Sequence, residues 1–366
     1  MFELFEPRKK TRVVKIGQYA VGGGNPVRIQ SMTNTSTKNI KATLEQIEAL
    51  AKQGCEIVRV AVPDMETGQK LQELNALSPL PLVADIHFDY RLALMALDAG
   101  FTALRINPGN ILKKNEKGIV DTKPLDILAE KILACDAAVR VGVNSGSVEK
   151  DLLEKYGHPS PEALVESALR HTAYLEERGV TQIKVSIKSS SVIDTIKTNM
   201  LLSEKTDYPI HLGVTEAGTP LRGSVKSALG IGSLLLQGIG DTIRVSLTAN
   251  PVEEIAVAKE ILRSTGTRQM GAELISCPTC GRTEINLIAL AEKVEEKLIE
   301  LPDTLKVAVM GCVVNGPGEA KEADIGLAGG KGKGVIFKKG QIIHSVQGEE
   351  NLLQTFLSEL DKFKTR

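Results

Sequence analysis

Three cysteines in the last quarter of the sequence have the residue type and spacing of soft metal ligands. Cys277 and Cys280 stand at C-x-x-C spacing within Ser276–Arg282, so both thiols of one tight turn can point at a single metal centre. Cys312 adds a third thiol within Gly311–Glu319, where glycine and proline let the backbone curl closely around a compact group. Because thiolate sulfur selects zinc, copper(I) or an iron–sulfur cluster over hard cations, the segment predicts a thiolate metal site.

The residue pattern leaves two kinds of thiolate site open. A Cys-Pro-x-Cys-Gly turn is common in zinc ribbons, which suits a structural zinc. A ribbon normally supplies a second C-x-x-C pair, however, and this sequence has none. With three cysteines in the segment, the fourth position is open or held by another residue type, which favours an iron–sulfur cluster.

A second group of candidate residues alternates with apolar ones along several short β-branched runs. In Ala103–Asn107 the apolar side chains fall on one face, and Arg105 and Asn107 on the other. The same alternation places further polar residues on one face of their runs: Arg28, Arg59, Arg140, Asn144, Lys184, Ser186, Lys188, Arg244 and Ser246. Asp85 and Glu216 are the only carboxylates that the alternation adds, so the cations are expected to outnumber them.

The excess of cations predicts a site for an anion with more than one negative charge, because unpaired buried charges are costly. Guanidinium groups match phosphate oxygens by their planar fork, so a phosphate ester or diphosphate is the expected ligand. The candidate catalytic residues are Asp85, His87 and Glu216. His87 stands beside Asp85 as a candidate proton donor.

The runs that carry these residues alternate with helical segments, as in a (β/α)8 TIM barrel of the α/β class. The expected strands are Val27–Thr33, Ile57–Pro63, Leu82–Phe88, Ala103–Pro108, Ala138–Asn144, Gln182–Ser189, Ile210–Glu216 and Thr242–Thr248. In a barrel surrounded by helices the polar face points into the lumen. A doubly wound open sheet stays as the alternative, because strand closure is not visible in a sequence.

Two domains are expected. Residues 1–267 form the TIM-barrel substrate-binding domain, and residues 268–366 form a small α+β domain around the cysteines. The elements expected in the second domain are a helix at Thr283–Ile299, a strand at Lys306–Met310, a hairpin at Val335–Val346 and a terminal helix at Glu349–Lys364.

Two glycine-rich stretches have a structural and a functional interpretation each. Gly329–Gly334 could cradle phosphate, but its composition favours a hairpin loop. Gly22–Gly24 precedes the first barrel strand instead of following it, unlike a dinucleotide-binding loop. It is expected to form the turn of an N-terminal hairpin.

Composition argues against several classes of protein. Lysine plus arginine equals aspartate plus glutamate at 45 each, which does not suit a nucleic-acid-coating protein. No apolar run approaches the ~20 residues that cross a bilayer, and the first ten residues lack the apolar core of a signal peptide. Five cysteines suggest no disulfide framework. We therefore expect a cytoplasmic protein without nucleic-acid or membrane partners.

Several motifs together resemble the 4-hydroxy-3-methylbut-2-en-1-yl diphosphate synthases of the methylerythritol phosphate route to isoprenoids. They are Ile29–Thr35, Ala84–Phe88, Arg105–Asn110, Gly142–Ser147, Gly213–Gly218, Ser276–Gly281 and Gly311–Glu319. The resemblance spans nearly the whole chain. No large insert separates the two domains, as in the two-domain bacterial members of that family.

This resemblance implies a [4Fe–4S] cluster held by Cys277, Cys280 and Cys312, with Glu319 as the fourth ligand. A carboxylate is a harder and more weakly held iron ligand than a thiolate, so it can yield to a substrate oxygen. The implied reaction is the reductive ring opening and dehydroxylation of 2-C-methyl-D-erythritol 2,4-cyclodiphosphate. A flavodoxin or ferredoxin supplies two electrons, and the implied assembly is a homodimer.

Two other interpretations remain open at this point. A phosphate-binding barrel of the dihydropteroate-synthase type with a structural zinc would keep the cationic lumen. An iron or redox sensor would use three cysteines and a labile fourth ligand. A sensor has no need of a barrel lumen lined with arginines, so the lumen favours an enzyme.

Overall fold

The computed structural model of the protein describes residues 7–114, 120–298, 300–302, 304–312 and 320–364. The chain divides into two units, one ending at Arg268 and the other beginning at Gln269. Within the described ranges, no helix is both long and apolar enough to cross a membrane.

The first unit is built on short strands whose β-branched residues suit a pleated, buried surface. In chain order they are β1 (Val13–Ile16), β2 (Tyr19–Gly22), β3 (Arg28–Met32), β4 (Ile57–Ala61), β5 (Leu82–Asp85), β6 (Ala103–Ile106), β7 (Lys113–Lys114), β8 (Val120–Asp121), β9 (Ala138–Asn144), β10 (Ile183–Lys188), β11 (His211–Leu212) and β12 (Thr242–Ile243). The pairs β1–β2 and β7–β8 are antiparallel. The other strands form a single parallel sheet.

The parallel sheet closes on itself. Its eight strands run in the order β10-β9-β6-β5-β4-β3-β12-β11. The two ends meet where Val185 of β10 forms a parallel bridge with Ile210, directly before β11. The predicted TIM barrel is therefore confirmed, and the open-sheet alternative is wrong.

Helices follow the strands and cover the outside of the barrel. They are α1 (Ile40–Lys52), α2 (Met65–Leu77), α3 (Tyr90–Asp98), α4 (Pro108–Ile111), α5 (Lys123–Ala134), α6 (Lys150–Tyr156), α7 (Pro161–Glu176), α8 (Val192–Lys205), α9 (Pro220–Leu236) and α10 (Pro251–Ser264). Side chains such as Asp64 and Ser160 cap their first turns. Gly54, Gly100 and Gly179 follow helix ends with φ of 91°, 84° and 81°, a conformation that glycine adopts without strain.

The N-terminal hairpin closes the amino end of the barrel. Its buried side chains Val14, Ile16 and Val21 pack with Ile57, Val83, Ala103 and Ala138, near the starts of four barrel strands. The hairpin thus packs an apolar cluster against the amino ends of these four strands. The turn of this hairpin is at Gly17 and Gln18, so the expectation that Gly22–Gly24 forms it was wrong.

Within its described residues, the second unit is a five-stranded mixed sheet with two helices. Its elements are β13 (Glu273–Ser276), α11 (Leu287–Leu298), β14 (Lys306–Met310), β15 (Ile325–Gly330), β16 (Lys333–Lys338), β17 (Gln341–Gln347) and α12 (Glu349–Asp361). Strands β13, β14 and β15 are parallel, and β15, β16 and β17 are antiparallel. The glycine-rich run Gly329–Gly334 lies in the β15–β16 hairpin, as its composition predicts.

Candidate active site

A cationic cavity opens among the carboxyl ends of the barrel strands, where barrel enzymes hold their substrates. It has a volume of about 120 Å³. Its lining residues are Arg59, Arg105, Arg140, Gly142, Val143, Asn144, Ser186, Lys188, Thr215, Arg244 and Ser246. Most of the substrate-binding residues predicted from strand alternation therefore meet in one place.

The strand register explains which lysine of β10 reaches the cavity. Asp85, Arg105, Arg140 and Lys184 stand side by side on four neighbouring strands. Because the strands of a closed barrel are staggered, such a row slopes relative to the barrel axis. Lys184 is buried and does not line the cavity, whereas Lys188, four residues later on the same face, does.

Arg28 and Asn107 also lie off the cavity lining. Arg28 is the first residue of β3, at the amino end of the strand, where its Nη1 lies 2.6 Å from Glu56 Oε1 and its guanidinium covers the ring of Tyr19. Asn107 is buried, and its Oδ1 accepts a hydrogen bond from the Gly109 N–H at 3.0 Å. Alternation alone could not separate these positions, because it gives the face of a strand and not the depth along it.

Asp85 is the counter-ion of two cavity arginines. Its Oδ1 lies 3.2 Å from Arg105 Nη1, and its Oδ2 lies 3.7 Å from Arg59 Nε and 3.6 Å from His87 Nε2. Burial raises the pKa of Asp85, but Arg59, His87 and Arg105 outweigh it and hold the pKa well below its usual range. Asp85 is therefore ionised at neutral pH and orients cations. The more exposed His87 is left as the proton-donor candidate of the pair.

The expected shortage of carboxylates was overstated, because helices and loops supply two that strand alternation does not show. Glu56 pairs with Arg28, and Glu254 of α10 lies 3.4 Å from Arg244. Glu254 also accepts hydrogen bonds from Ser31 Oγ and the Leu247 N–H, both at 3.1 Å. In the sequence, the only indication that Glu254 could reach the barrel cations was its position in the first turn of the helix after β12.

Three cations of the barrel interior nevertheless have no carboxylate within ion-pair distance among the residues that the structure describes: the buried Arg140 and Lys184 and the half-buried Lys188. Arg140 is 4% exposed, and its Nε and Nη1 have no hydrogen-bond partner. Burial, and then neighbouring arginines, lower the pKa of all three well below the ordinary values. Arg140 and Lys188 line the cavity, so an anion bound there would relieve their repulsion.

Two glycines make room for these cations. A Cβ atom at Gly142 would lie 2.7 Å from Arg105 Nε, and one at Gly213 would lie 2.6 Å from Lys188 Nζ. Contacts this short do not occur, so a side chain at either position would displace the cation. Gly142, Val143 and Thr215 are cavity residues that sequence reasoning missed. The motifs Gly142–Ser147 and Gly213–Gly218 contain all three.

Replacing Gly142 by alanine is therefore expected to weaken the binding of inorganic diphosphate by about tenfold, because Arg105 must leave its position beside Asp85. Isothermal calorimetry on the full-length chain measures the loss. Gly232→Ala is the matched control, since its new Cβ would meet only Thr265 Cγ2 at 3.6 Å, an ordinary contact. Equal affinities in the two variants would contradict the assigned position of Arg105.

Glu216 stands four residues after the end of β11 in an unusual backbone conformation. Its φ is 52°, which is rare for residues other than glycine, asparagine and aspartate. Its side chain is exposed and does not line the cavity, although its neighbour Thr215 does. Such outliers persist where the surrounding structure maintains them, often at functional sites.

A larger cavity, of about 480 Å³, lies outside the barrel between the N-terminal segment and the helices α7 and α8. Its residue Arg12 lies 3.1 Å from Glu176 Oε1 and 2.8 Å from Asp207 Oδ1. The charge of Arg12 is already paired and partly exposed, so this cavity lacks the unpaired buried cations of the smaller one. We therefore assign the anion site to the cavity at the strand ends.

In the second unit, two of the three cysteines follow adjacent parallel strands. Cys277 comes directly after β13, and Cys312 comes two residues after the end of β14. Register pairs Ser276 with Val309, and the Gly311 N–H donates to Cys277 Sγ at 3.2 Å. The ends of both strands are thus at the same edge of the sheet.

Cys280 is held in the turn that follows Cys277. Its N–H donates to Thr283 Oγ1 at 3.1 Å, and its carbonyl oxygen accepts from the Thr283 N–H at 3.0 Å. Hydrogen bonding by the backbone and side chain of Arg282 lowers the pKa of the exposed Cys280 thiol. The Glu284 N–H donates to the Gly311 oxygen at 3.2 Å, which ties this turn to the segment of Cys312.

These observations fit a thiolate-bound group. The pKa of Cys280 favours the thiolate, and an N–H donor to Cys277 sulfur is the kind of contact that tunes iron–sulfur clusters. Among the described residues, no set of three His, Cys, Asp or Glu side chains is arranged to hold a metal ion. Glu319, the expected fourth ligand, lies outside the described residues, as does 313–318.

Family comparisons agree with both units. Residues 11–259 match the GcpE TIM-barrel domain, and residues 273–362 match the GcpE protein C-terminal domain. The chain belongs to the GcpE family. Its barrel and its cysteine-bearing unit each match one domain of the family, and the alternative of a phosphate-binding barrel of the dihydropteroate-synthase type with a structural zinc is not favoured.

Relatives with nearly the same length carry one name, 4-hydroxy-3-methylbut-2-en-1-yl diphosphate synthase (flavodoxin). The protein from Maridesulfovibrio salexigens is 57% identical, over 97% of this chain and 97% of its own length. The protein from Clostridium perfringens is 55% identical, over 97% and 99%. The protein from Geobacter sulfurreducens is 51% identical, over 97% and 98%.

A solved structure of another enzyme shares the barrel fold. N-acetylneuraminic acid synthetase from Leptospira borgpetersenii has a TM-score of 0.50 at 13% identity, covering 78% of this chain and 96% of its own. Dihydropteroate synthase from Yersinia pestis has a TM-score of 0.48 at 12% identity, covering 70% and 99%. The likeness to the synthetase concerns the fold alone.

Proposed function

We propose that this protein is an iron–sulfur oxidoreductase that opens and dehydroxylates 2-C-methyl-D-erythritol 2,4-cyclodiphosphate to 4-hydroxy-3-methylbut-2-enyl diphosphate. The observation that carries the proposal is a pair of cavity cations without a carboxylate partner among the described residues, the buried Arg140 and the half-buried Lys188. They suit a diphosphate dianion, and the relatives at 51–57% identity are named as diphosphate synthases.

The barrel residues bind and orient the substrate in this proposal. Arg59, Arg105, Arg140, Lys188 and Arg244 surround the diphosphate and neutralise its charge, while Asp85 keeps two of the arginines in place. Enclosure makes each charged contact stronger than it would be in water. Asn144, Ser186 and Ser246 supply neutral hydrogen-bonding groups on the same lining.

Glu216 and His87 are the proposed proton-handling groups. Barrel enzymes place such residues just past the strand ends, and both of these follow barrel strands closely. Glu216 orients a substrate hydroxyl and passes a proton as the carbon–oxygen bond breaks. His87, 54% exposed and beside Arg105 and Asp85, is placed to hold a proton at the cavity edge.

The second unit holds the redox group in this proposal. Cys277, Cys280 and Cys312 provide three thiolates, and Glu319 is the proposed fourth ligand of a [4Fe–4S] cluster. When bound, such a cluster supplies electrons one at a time. A carboxylate fourth ligand leaves one iron more open to exchange than a fourth thiolate would.

The proposal includes partners and location. Flavodoxin is the proposed electron donor, supported by the names of the relatives, with ferredoxin as the other candidate. A homodimer is proposed from the family resemblance. A cytoplasmic location is proposed because the cysteines are assigned to a metal site, which suits a reducing compartment.

Anaerobic turnover with a chemical reductant tests the function directly. The purified full-length protein with its iron retained is incubated with the cyclic diphosphate, and the linear diphosphate product is measured by mass spectrometry. Product formation that depends on the reductant is expected. Iron-loaded protein that binds the substrate but forms no product would contradict the assigned reaction.

Substituting Arg140 by methionine is expected to weaken diphosphate binding by about 10- to 150-fold, the range for one lost charged hydrogen bond. The fold is expected to persist, because the variant removes a cation that has no counter-ion. Calorimetry with inorganic diphosphate provides the measurement.

Arg28→Met is the matched control for Arg140→Met. It removes an arginine from the same barrel, and Glu56 keeps Arg268 as a partner at 2.7 Å. Affinity for diphosphate is expected to stay within about twofold of the wild type, as for a residue without ligand contact. A larger loss for Arg28→Met than for Arg140→Met would move the anion site toward the amino end of the barrel.

A further inference from the structure

The barrel buries an imidazole that the proposed reaction does not use. His171 lies on α7 and is 1% exposed. Its Nε2 lies 3.0 Å from Glu149 Oε1, a distance that becomes an ion pair if the ring is protonated, and neither ring nitrogen has a hydrogen-bond partner of good geometry within the described part of the chain. Burying a polar ring without full pairing costs free energy, so the position calls for a physical reason.

On one side, His171 supports the segment that follows β6, which consists of Asn107 and the one-turn helix α4 and is called the loop of Asn107 below. A Cβ atom at Gly109 would lie 2.6 Å from His171 Nε2, which means that the ring packs directly against the backbone of the loop. The Gly109 N–H donates to Asn107 Oδ1 at 3.0 Å. The ring thus fixes the turn that holds the side chain of Asn107.

On the other side, His171 contacts the loop that follows β9. This loop begins at Asn144, whose N–H donates to Ser147 Oγ at 3.0 Å, and it ends at Glu149. Glu149 Oε2 accepts a hydrogen bond of 2.6 Å from Ser167, one turn before His171 on α7. Burial raises the pKa of Glu149, but His171 and Ser167 outweigh it and lower the pKa to about 2. Glu149 is therefore a full anion at neutral pH.

We propose that His171 is a positioning residue for diphosphate binding, which holds the loop of Asn107 and the loop of Asn144 in a fixed relation at the barrel mouth. The inference rests on the proposed function, because Asn144, at the start of the second loop, lines the cavity that would hold the diphosphate. His171 acts through Gly109 and Glu149 and not by contact with the ligand.

A double-mutant cycle on the full-length chain tests this inference, with His171→Ala, Gly109→Ala and the two combined, probed by calorimetry with inorganic diphosphate. Each single substitution is expected to weaken binding by about tenfold, the first by removing the support and the second by pushing the loop off the ring. The combined variant is expected to bind at least as well as Gly109→Ala, because the new methyl group then has room. Additive losses would overturn the proposal.

The kinetic signature separates positioning from packing. KM for the cyclic diphosphate is expected to follow the loss of binding, with kcat changed by less than about threefold. His171→Gln, which keeps an N–H near Glu149, is expected to recover part of the affinity. A lower melting temperature with unchanged diphosphate affinity would give His171 a packing role only and overturn the proposal.

Two further outcomes also decide the matter. If His171→Ala does not fold, the diphosphate affinities of His171→Gln and Gly109→Ala are measured instead. Unchanged affinity in both variants would overturn the proposal. Wild-type protein that binds no diphosphate would contradict the proposed function itself, and this inference with it. The wild-type measurement therefore distinguishes the two failures.

Discussion

After anaerobic purification, the Cys277→Ser variant is expected to contain little iron and to show no turnover of the cyclic diphosphate. Cys277 follows β13 directly, and its sulfur accepts the Gly311 N–H at 3.2 Å, so it links the two strand ends that carry the cysteines. A serine oxygen is a poor replacement for a soft thiolate ligand. Wild-type protein is expected to hold about four irons per chain, as a [4Fe–4S] cluster requires.

Cys135→Ser is the matched control for Cys277→Ser. Cys135 is exposed at the end of α5, and it belongs to the barrel unit and not to the unit that carries the other three cysteines. Iron content and turnover are expected to match the wild type. Because a bound group stabilises only the folded state, Cys277→Ser is also expected to melt at a lower temperature than Cys135→Ser. Normal iron content in Cys277→Ser would remove it from the ligand set.

Replacing Glu216 by glutamine is expected to lower kcat by ~10²–10⁴, with little change in KM. The amide keeps the size of the side chain and can still form hydrogen bonds, but it cannot take up or release a proton at neutral pH. Glu216 lies beside the cavity residue Thr215, past the end of β11, and its φ is 52°. Single-turnover measurements with reduced enzyme separate this loss from slow electron delivery.

Glu253→Gln provides the comparison for Glu216→Gln. Glu253 is an exposed carboxylate in the first turn of α10, also shortly after a barrel strand. The kcat of the Glu253→Gln variant is expected to stay within about twofold of the wild type, because Glu253 is an exposed residue outside the site. An unchanged kcat in Glu216→Gln would exclude Glu216 as the proton-handling group and leave His87 beside Asp85 in that role.

Strand periodicity was enough to predict the barrel and most of its cavity. A polar residue at every second position, within runs such as Ala103–Ile106, requires one apolar and one polar face, and helices on the outside leave only the lumen for the polar one. The period of two is a local property of the chain, so it is visible without tertiary contacts. The C-x-x-C turn is equally local, which is why the cysteines could be identified from the sequence.

Depth along the lumen, by contrast, was decided by tertiary structure. Arg28, Arg140 and Lys184 look alike in the sequence, yet Arg28 pairs with Glu56, Lys184 is buried off the cavity lining, and only Arg140 lines the cavity. The stagger of the closed sheet sets these depths, and stagger depends on how eight distant segments pair.

Partners from other elements were decided in the same way. Glu254 of α10 reaches Arg244 and Ser31, and His171 of α7 reaches Gly109 and Glu149 across large separations in the chain. The sequence by itself determined which residues could carry charge or bind metal, because side-chain chemistry and strand period are local. Only the tertiary structure decided which cations remain without a carboxylate partner and can therefore bind an anion. Pairing depends on contacts between distant segments, which the closure of the barrel brings together.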